Sequence, residues 1–314
     1  MKIEEAIQLK YPHIPSSLYR YRQFSERSIE NLVNEQEWQS YPSEFNDPFD
    51  ASIKIDYTLL SKKLFLERNI NPMLEKLEGL GVKVSDEQIK TIRKSDDPLY
   101  AFLKHVAQYD KVLNGKEDEF AKLLSEQALK QTKSKFDQFR QRFQNGYLVV
   151  CFSELKDSIL MWSHYAINHT GFCIQYNFQE LGSFSPLSRL LNPVIYTDEL
   201  FDATHYVLQP LIRKDHSFNN LFGIFSSISK SNAWEYEKEW RTVFPLGPNA
   251  SLEDRLIRVP KPKALYLGAK ASEENTQKLK EIAIIKNITL YQIRLSETSH
   301  GLNVDLLYDS VKDL

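Results

Sequence analysis

From about Tyr57 to Phe143 the chain changes character. Apolar residues recur at helical spacing among many charges, as in LLSKKLFLERN, EQIKTIRK and FAKLLSEQALKQTKSKFDQFRQRF. Segments of strand character lie on both sides. LYRYRQF and EWQSYP come before it; GYLVVCFSE, GFCIQYNF, EKEWRTVFP, RLIRVP, KALYLG and ITLYQIRLS come after. Strands at both ends of a chain are joined into one sheet more simply by an insertion than by two domains in sequence. The expectation is an α+β core domain, residues 1–56 and 145–314, with a mixed, largely antiparallel sheet. A helical insertion of four or five helices at 57–144 interrupts it, with charged faces turned to solvent. A mainly helical stretch from Phe201 to Ser229 and a helix at ASEENTQKLKEIAI are expected within the core.

Composition narrows the classes. Of 314 residues, 42% are hydrophobic and 12% aromatic, enough for a substantial core and against global disorder. With 40 basic against 42 acidic residues and a net charge of -2, no strong electrostatic footprint for DNA or an anionic membrane exists. No window approaches eighteen apolar residues, and MKIEEAIQLKYPHIP lacks the apolar run of a signal peptide. A soluble, cytoplasmic protein without a membrane partner is expected. Cys151 and Cys173 sit in apolar strand-like runs, and two cysteines make neither a disulfide framework nor a Cys-rich metal knot.

Four segments gather polar residues that are costly to place together. In LYRYR, alternation puts Arg20 and Arg22 on one strand face and Tyr19 and Tyr21 on the other. Two such guanidiniums can fork a phosphate or carboxylate, or simply stay solvated on an edge strand. In FNDPFD, Asn46, Asp47 and Asp50 suit an Asx-type turn and, less specifically, a divalent cation. The third segment, CFSELKDSILMWSHYAINHTGFCIQ, brings Ser153 at a strand end together with Trp162, His164, Tyr165 and His169 on a short helix and its exit. His164 is either a hydrogen-bonded core residue or part of a site, and no G-x-S-x-G elbow supports a Ser–His nucleophile. In the fourth, KSNAWEYEKEWR, a strand beginning near Tyr236 projects Glu237, Glu239 and Arg241 from one face. Stacked carboxylates need a cation, a partner Arg or a sugar hydroxyl, and a Glu–Arg ladder between neighbouring strands is the structural alternative.

In this order LYRYR, FNDPFD, CFSE, MWSHYA followed by GFCI, K-x3-W-x-YEKEWR and ALYLG resemble the bacterial and archaeal domain-of-unknown-function family numbered 2971. The resemblance covers both ends and the second half of the chain. It supplies no reaction; for some members it implies a setting in bacterial conflict or phage defence. A second, architectural resemblance is to ADP-ribosyltransferases, which order a basic residue on an early strand, a Ser or Tyr mid-chain and a Glu on a late strand. Arg20 or Arg22, Ser153 or Tyr165, and Glu237 or Glu239 are similar in order and type. The departures are the missing Ser-Thr-Ser strand and the surplus of carboxylates.

The resemblance implies a nucleotide-using enzyme, most concretely an NAD-dependent ADP-ribosyltransferase or a related glycohydrolase, with NAD as substrate. Its catalytic candidates are Arg22 on phosphate, Glu239 at the ribose and His164 on a ribose hydroxyl or the acceptor. Tyr165 or Trp162 would lie against the base. Arg20, Tyr21, Asn46, Asp47 and Ser153 join the substrate-binding set, as do Trp234, Glu237 and Arg241. No metal ligand is assigned in this reading, and the acceptor, protein or nucleic acid, stays open. One rival is a metal-assisted phosphoesterase or nuclease using Asp47, Asp50, His164 and Glu239. Another is a non-catalytic sensor that binds a nucleotide or protein through the same cleft.

Overall fold

A strand of sequence LYRYR must separate its tyrosines from its arginines, because successive side chains point to opposite faces. The computed structural model describes residues 10–113, 115–212, 221–246 and 255–310, with backbone alone at 138–139, 142–143, 210–212 and 221–222. Its strands begin with β1 (Leu18–Arg22), β2 (Gln36–Trp38), β3 (Ile53–Lys54), β4 (Tyr147–Ser153) and β5 (Phe172–Tyr176). Short strands follow: β6 (Leu191–Pro193), β7 (Ile195–Tyr196), β8 (Phe201–Asp202) and β9 (Ser229–Lys230). The last are β10 (Glu239–Pro245), β11 (Leu256–Arg258), β12 (Ala264–Leu267), β13 (Thr289–Leu295) and β14 (Leu302–Tyr308).

Eight of them form one sheet in the order β14-β13-β12-β5-β1-β4-β10-β6. Every pairing in it is antiparallel except β12 with β13. That parallel pair needs a crossover, and the helix Glu273–Lys286 provides it. Ser272 caps its start by accepting from the Asn275 N–H, and Asn287 ends it at φ 51°. The fold is α+β, as the pattern of strands predicts.

Each sheet face carries its own core. Leu18, Ile174, Leu265 and Leu290 lie on the face covered by Leu279, Ile282 and Ala283 of the crossover helix. Tyr19, Tyr21, Cys173 and Tyr266 lie on the other, with Met161 and Trp162 of the helix Ile159–Tyr165. Gly171 and Gly268 mark where backbones come too close for a side chain. A Cβ at Gly171 would stand 2.1 Å from the Arg22 carbonyl oxygen, and one at Gly268 would stand 2.2 Å from that of His169. The glycines of TGFCI and ALYLG are thus steric requirements of the sheet.

By its contacts the chain divides into two units. Met1–Ala51, Gln144–Glu199 and Ser227–Leu314 make the first, which holds the large sheet; Ser52–Phe143 and Leu200–Ser226 make the second. Within the second, Leu60 and Phe136 pack with Ala203, Tyr206, Val207 and Leu208, and β3 pairs with β8. The expected insertion is therefore joined by a second excursion that periodicity had left in the core domain. A helix's apolar stripe says that it must be buried, not against which neighbour. The expected helical stretch from Phe201 to Ser229 is helical at Thr204–Ile212 and Leu221–Ile228; positions 213–220 lie outside the described residues. Both excursions leave and rejoin the first unit at adjacent points. The Gln144 side chain donates to the Asp50 carbonyl at 3.2 Å, and the Thr197 N–H donates to the Lys230 carbonyl at 2.9 Å. Among the described residues no helix is long and apolar enough to cross a membrane.

Candidate functional site

β1 pairs with β5 along all five of its residues but meets β4 through one register pair, Tyr19 with Ser153. Where β1 and β4 part, the Arg20 Nη1 bridges to the Cys151 carbonyl at 2.5 Å. A cavity of about 330 Å³ is walled by Tyr19, Arg20 and Tyr21 of β1 and by Cys151, Phe152 and Ser153 of β4. Phe45, Asn46 and Asp50, with His164 and Tyr165, also line it, as do Lys230, Glu237, Glu239 and Arg241. Its size lies at the low end of the range for small-molecule sites, which is about 300–1,000 Å³.

The charged wall follows from register. β10 sets Glu239 opposite Ser153 and Arg241 opposite Cys151, so both side chains face the cavity side while Trp240 joins the opposite core with Phe152. Glu237 arrives differently. The expected strand from Tyr236 is instead a 3-10 helix, Asn232–Glu237, and Lys238 at φ 45° turns the chain into β10. Glu237 and Glu239 are therefore not rungs of one strand; a left-handed residue folds them together around a common cation. Lys230 Nζ lies 2.5 Å from Glu237 Oε2 and 3.0 Å from Glu239 Oε2.

Arg241 is wholly buried. Its Nη1 and Nη2 grip Asp50 at 2.7 and 2.6 Å, its Nε and Nη2 reach Glu239 at 2.8 and 3.0 Å, and Nη1 also reaches the Ser227 carbonyl at 2.7 Å. Burial would raise the Glu239 pKa, but the charges of Arg241 and Lys230 outweigh it and hold that carboxyl well below its ordinary range. Glu237 goes the other way: burial, reinforced by Glu239 and only partly offset by Lys230, pushes it up. Burial, then the Glu237 charge, keeps the Tyr165 phenol protonated, and its hydroxyl donates to Glu237 Oε1 at 2.5 Å. Burial, with Glu239 next to it, likewise keeps Cys151 a thiol.

Of the residues expected at the site, Arg20, Tyr21, Asn46, Ser153 and His164 share this cavity with Tyr165, Glu237, Glu239 and Arg241. Four do not line it. Arg22, expected on phosphate, is ion-paired with the buried Glu37, which also lies 3.6 Å from Arg20 Nε and accepts from the Tyr176 hydroxyl. Asp47 turns its Oδ1 onto the Phe49 N–H, the Asx turn of the structural alternative. Trp162 is fully buried, with its indole N–H on the Lys156 carbonyl and its ring edge-on to Tyr21. Trp234 instead offers its ring to Lys230 Nζ, 4.8 Å from the centroid. Ser153 lines the cavity, but its hydroxyl donates to the Glu237 carbonyl and accepts from the Leu155 N–H. It pins the turn before β10 and is not placed as a nucleophile.

Sequence reasoning missed Lys230 and Glu37. Lys230 stands in the motif K-x3-W-x-YEKEWR, and the pair of carboxylates that follows was its signal; Glu37, in EWQSYP, gave none. Among the described residues no three His, Cys, Asp or Glu side chains converge as a metal-ion set. The carboxylates of the metal-assisted rival, Asp50 and Glu239, face Arg241 and Lys230 rather than an open coordination position.

No curated protein and no solved structure matches the chain. A family model described as a protein of unknown function (DUF2971) matches residues 161–242, which run from the helix bearing His164 and Tyr165 through Lys230, Glu237 and Glu239 to the strand bearing Arg241. That matched stretch, which holds most of the charged wall, is what the chain shares with the DUF2971 family model.

Proposed function

We propose that the first unit is a nucleotide-using enzyme, most concretely one that cleaves NAD, releasing nicotinamide and passing ADP-ribose to water or an acceptor. One observation carries the reading: an arginine, Arg20, a ring-bearing Tyr165 and a carboxylate short of partners line one cavity. The carboxylate is Glu237 rather than Glu239. A carboxylate offers about four lone-pair sites. Glu239 accepts from Arg241 Nε, Arg241 Nη2, Lys230 and the Cys151 thiol, whereas among the described residues Glu237 accepts from Tyr165 and Lys230 alone.

In this reading Arg20 steadies a phosphate, and Glu237 holds the ribose as the bond from C1′ to the nicotinamide nitrogen breaks and its electron pair leaves with the ring. Positive charge then develops at C1′ beside the carboxylate, which is where a fixed negative group helps most. Water or an acceptor hydroxyl attacks C1′ and gives its proton to His164, which is exposed and has no hydrogen-bond partner among the described residues.

Nicotinamide release from NAD by the parent and by Glu237→Gln tests this. The parent is expected to turn NAD over and the variant to lose about 100-fold or more. Absence of turnover by folded parent protein at millimolar NAD sinks the enzymatic reading. A second reading, a non-catalytic binding module, is favoured by Arg241, whose bonds are all to the protein itself, and predicts ligand binding without turnover.

A further inference from the structure

The charged groups of the cavity do not balance wall by wall. On the β10 side three carboxylates, Asp50, Glu237 and Glu239, face two cations, Lys230 and Arg241. The surplus falls on Glu237, since Asp50 is bidentate to Arg241 and Glu239 is held by both cations. Glu237 is 2% exposed, so water does little to compensate it. A surplus charge in such a place is relieved in one of two ways: the carboxylate keeps a proton, or a ligand brings a positive charge.

The surroundings select the kind of cation. A calcium ion needs six to eight oxygen ligands, and one carboxylate with two unused lone pairs does not supply them. Aromatic rings do line the cavity: Phe45 beside Arg241, Tyr165 on Glu237, and Tyr19 and Tyr21 on the β1 side. Ring faces and a lone carboxylate together favour a flat, weakly hydrated organic cation over a compact, strongly hydrated one. We propose that the cavity takes a small planar organic cation, of the pyridinium type, seated against the unused side of the Glu237 carboxylate. The proposal rests on the cavity being the ligand site, as in the reading above, but not on any reaction there.

Burial and the Glu239 charge raise the Glu237 carboxyl, so a cation that binds its ionised form competes there with a proton. The titratable and charged groups facing Glu237 are Tyr165 from the helix, Lys230 from β9, Tyr236 beside it, and Glu239 and Arg241 from β10, with Asp50 behind Arg241. Lys230 and Arg241 are held in their charged forms, and the two phenols in their neutral ones, by the shifts these neighbours and burial produce. Glu237 is the group whose ionised form the cation favours.

The probes are 1-methylnicotinamide, whose methyl on the ring nitrogen makes it a pyridinium cation, and nicotinamide, its neutral near-isostere, titrated by calorimetry against the full chain and against Glu237→Gln. The cation is expected to bind the parent about tenfold more tightly than the amide, a preference of about 1.4 kcal/mol. In Glu237→Gln the ratio is expected to fall to about one. If that variant does not fold, the parent alone decides: its affinity for the cation rises with pH, as the elevated Glu237 carboxyl ionises, while that for nicotinamide stays flat. Equal affinities, no binding of the cation at millimolar concentration, or a pH-independent preference overturns the proposal. NAD turnover without discrimination between the probes removes this inference and leaves the enzymatic reading; discrimination without turnover does the reverse.

Discussion

Arg241 uses all five of its N–H donors inside the fold, on Asp50, Glu239 and the Ser227 carbonyl. Such a side chain is a bracket: it ties the FNDPFD turn to β10 and fixes where Glu239 stands. The same network makes Glu239 a structural carboxylate. Removing one partner of a buried ion pair leaves its cations uncompensated, so Glu239→Gln is expected to lose about 3–5 kcal/mol at neutral pH in urea unfolding. The pH dependence has a definite sign. The folded-state pKa of Glu239 is depressed, so its contribution is present above the ordinary glutamate value and is lost as pH falls toward the lower folded value. The gap in stability between parent and variant should therefore shrink steadily once pH drops below about 4. A gap that stays constant through that range would mean that Glu239 acts through packing rather than charge. This pairing was only half legible beforehand. The surplus of acid in YEKEWR announces that cations must be near, yet which cations depends on a turn at Lys238 that brings residues seven and nine positions from Lys230 back onto its ammonium.

At the scale of elements, the strands of the large sheet could be read from alternation and from β-branched and aromatic runs, and its largely antiparallel character from their number and spacing. Pairing could not. Arg22 looked available because a strand's own alternation says nothing of what the opposite layer carries, and Glu37 meets it only after β2 has been laid down. The 3-10 helix before β10 was read as strand for a similar reason: WEYEKEWR alternates well enough for either, and the left-handed residue at 238 has no Gly or Asn to announce it. The glycines are more transparent once the sheet is known. Gly171 lies against the Arg22 carbonyl at the end of the β1–β5 ladder, so Gly171→Ala must push the strands apart. Thermal unfolding should report a loss of about 1–3 kcal/mol. An unchanged melting temperature would show that the corner has slack and that the glycine is there for another reason.

At the scale of the molecule, two separate excursions build the second unit and each returns beside its point of departure. Excising 52–143 alone strips Leu60 and Phe136 from Ala203, Tyr206, Val207 and Leu208 and leaves that apolar surface uncovered. Such a variant is expected to aggregate. Excising 200–226 as well, with short Gly-Ser links across both gaps, is expected to leave a folded first unit, monodisperse by size-exclusion chromatography and with a cooperative melt. The reverse ranking of the two variants would show that the first unit depends on the second. The place of β1 has a further consequence, which concerns time. It is the first strand of the sheet to be synthesised, yet it lies in the interior, and both its neighbours, β4 and β5, come more than a hundred residues later. At translation speeds of about 5–20 residues per second, a nascent β1 waits on the order of ten seconds for anything to pair with. During that interval its two edges and its tyrosines are open to other chains. The aromatic strand β1 is thus left open on the ribosome for that interval, and early binding by a chaperone would protect it.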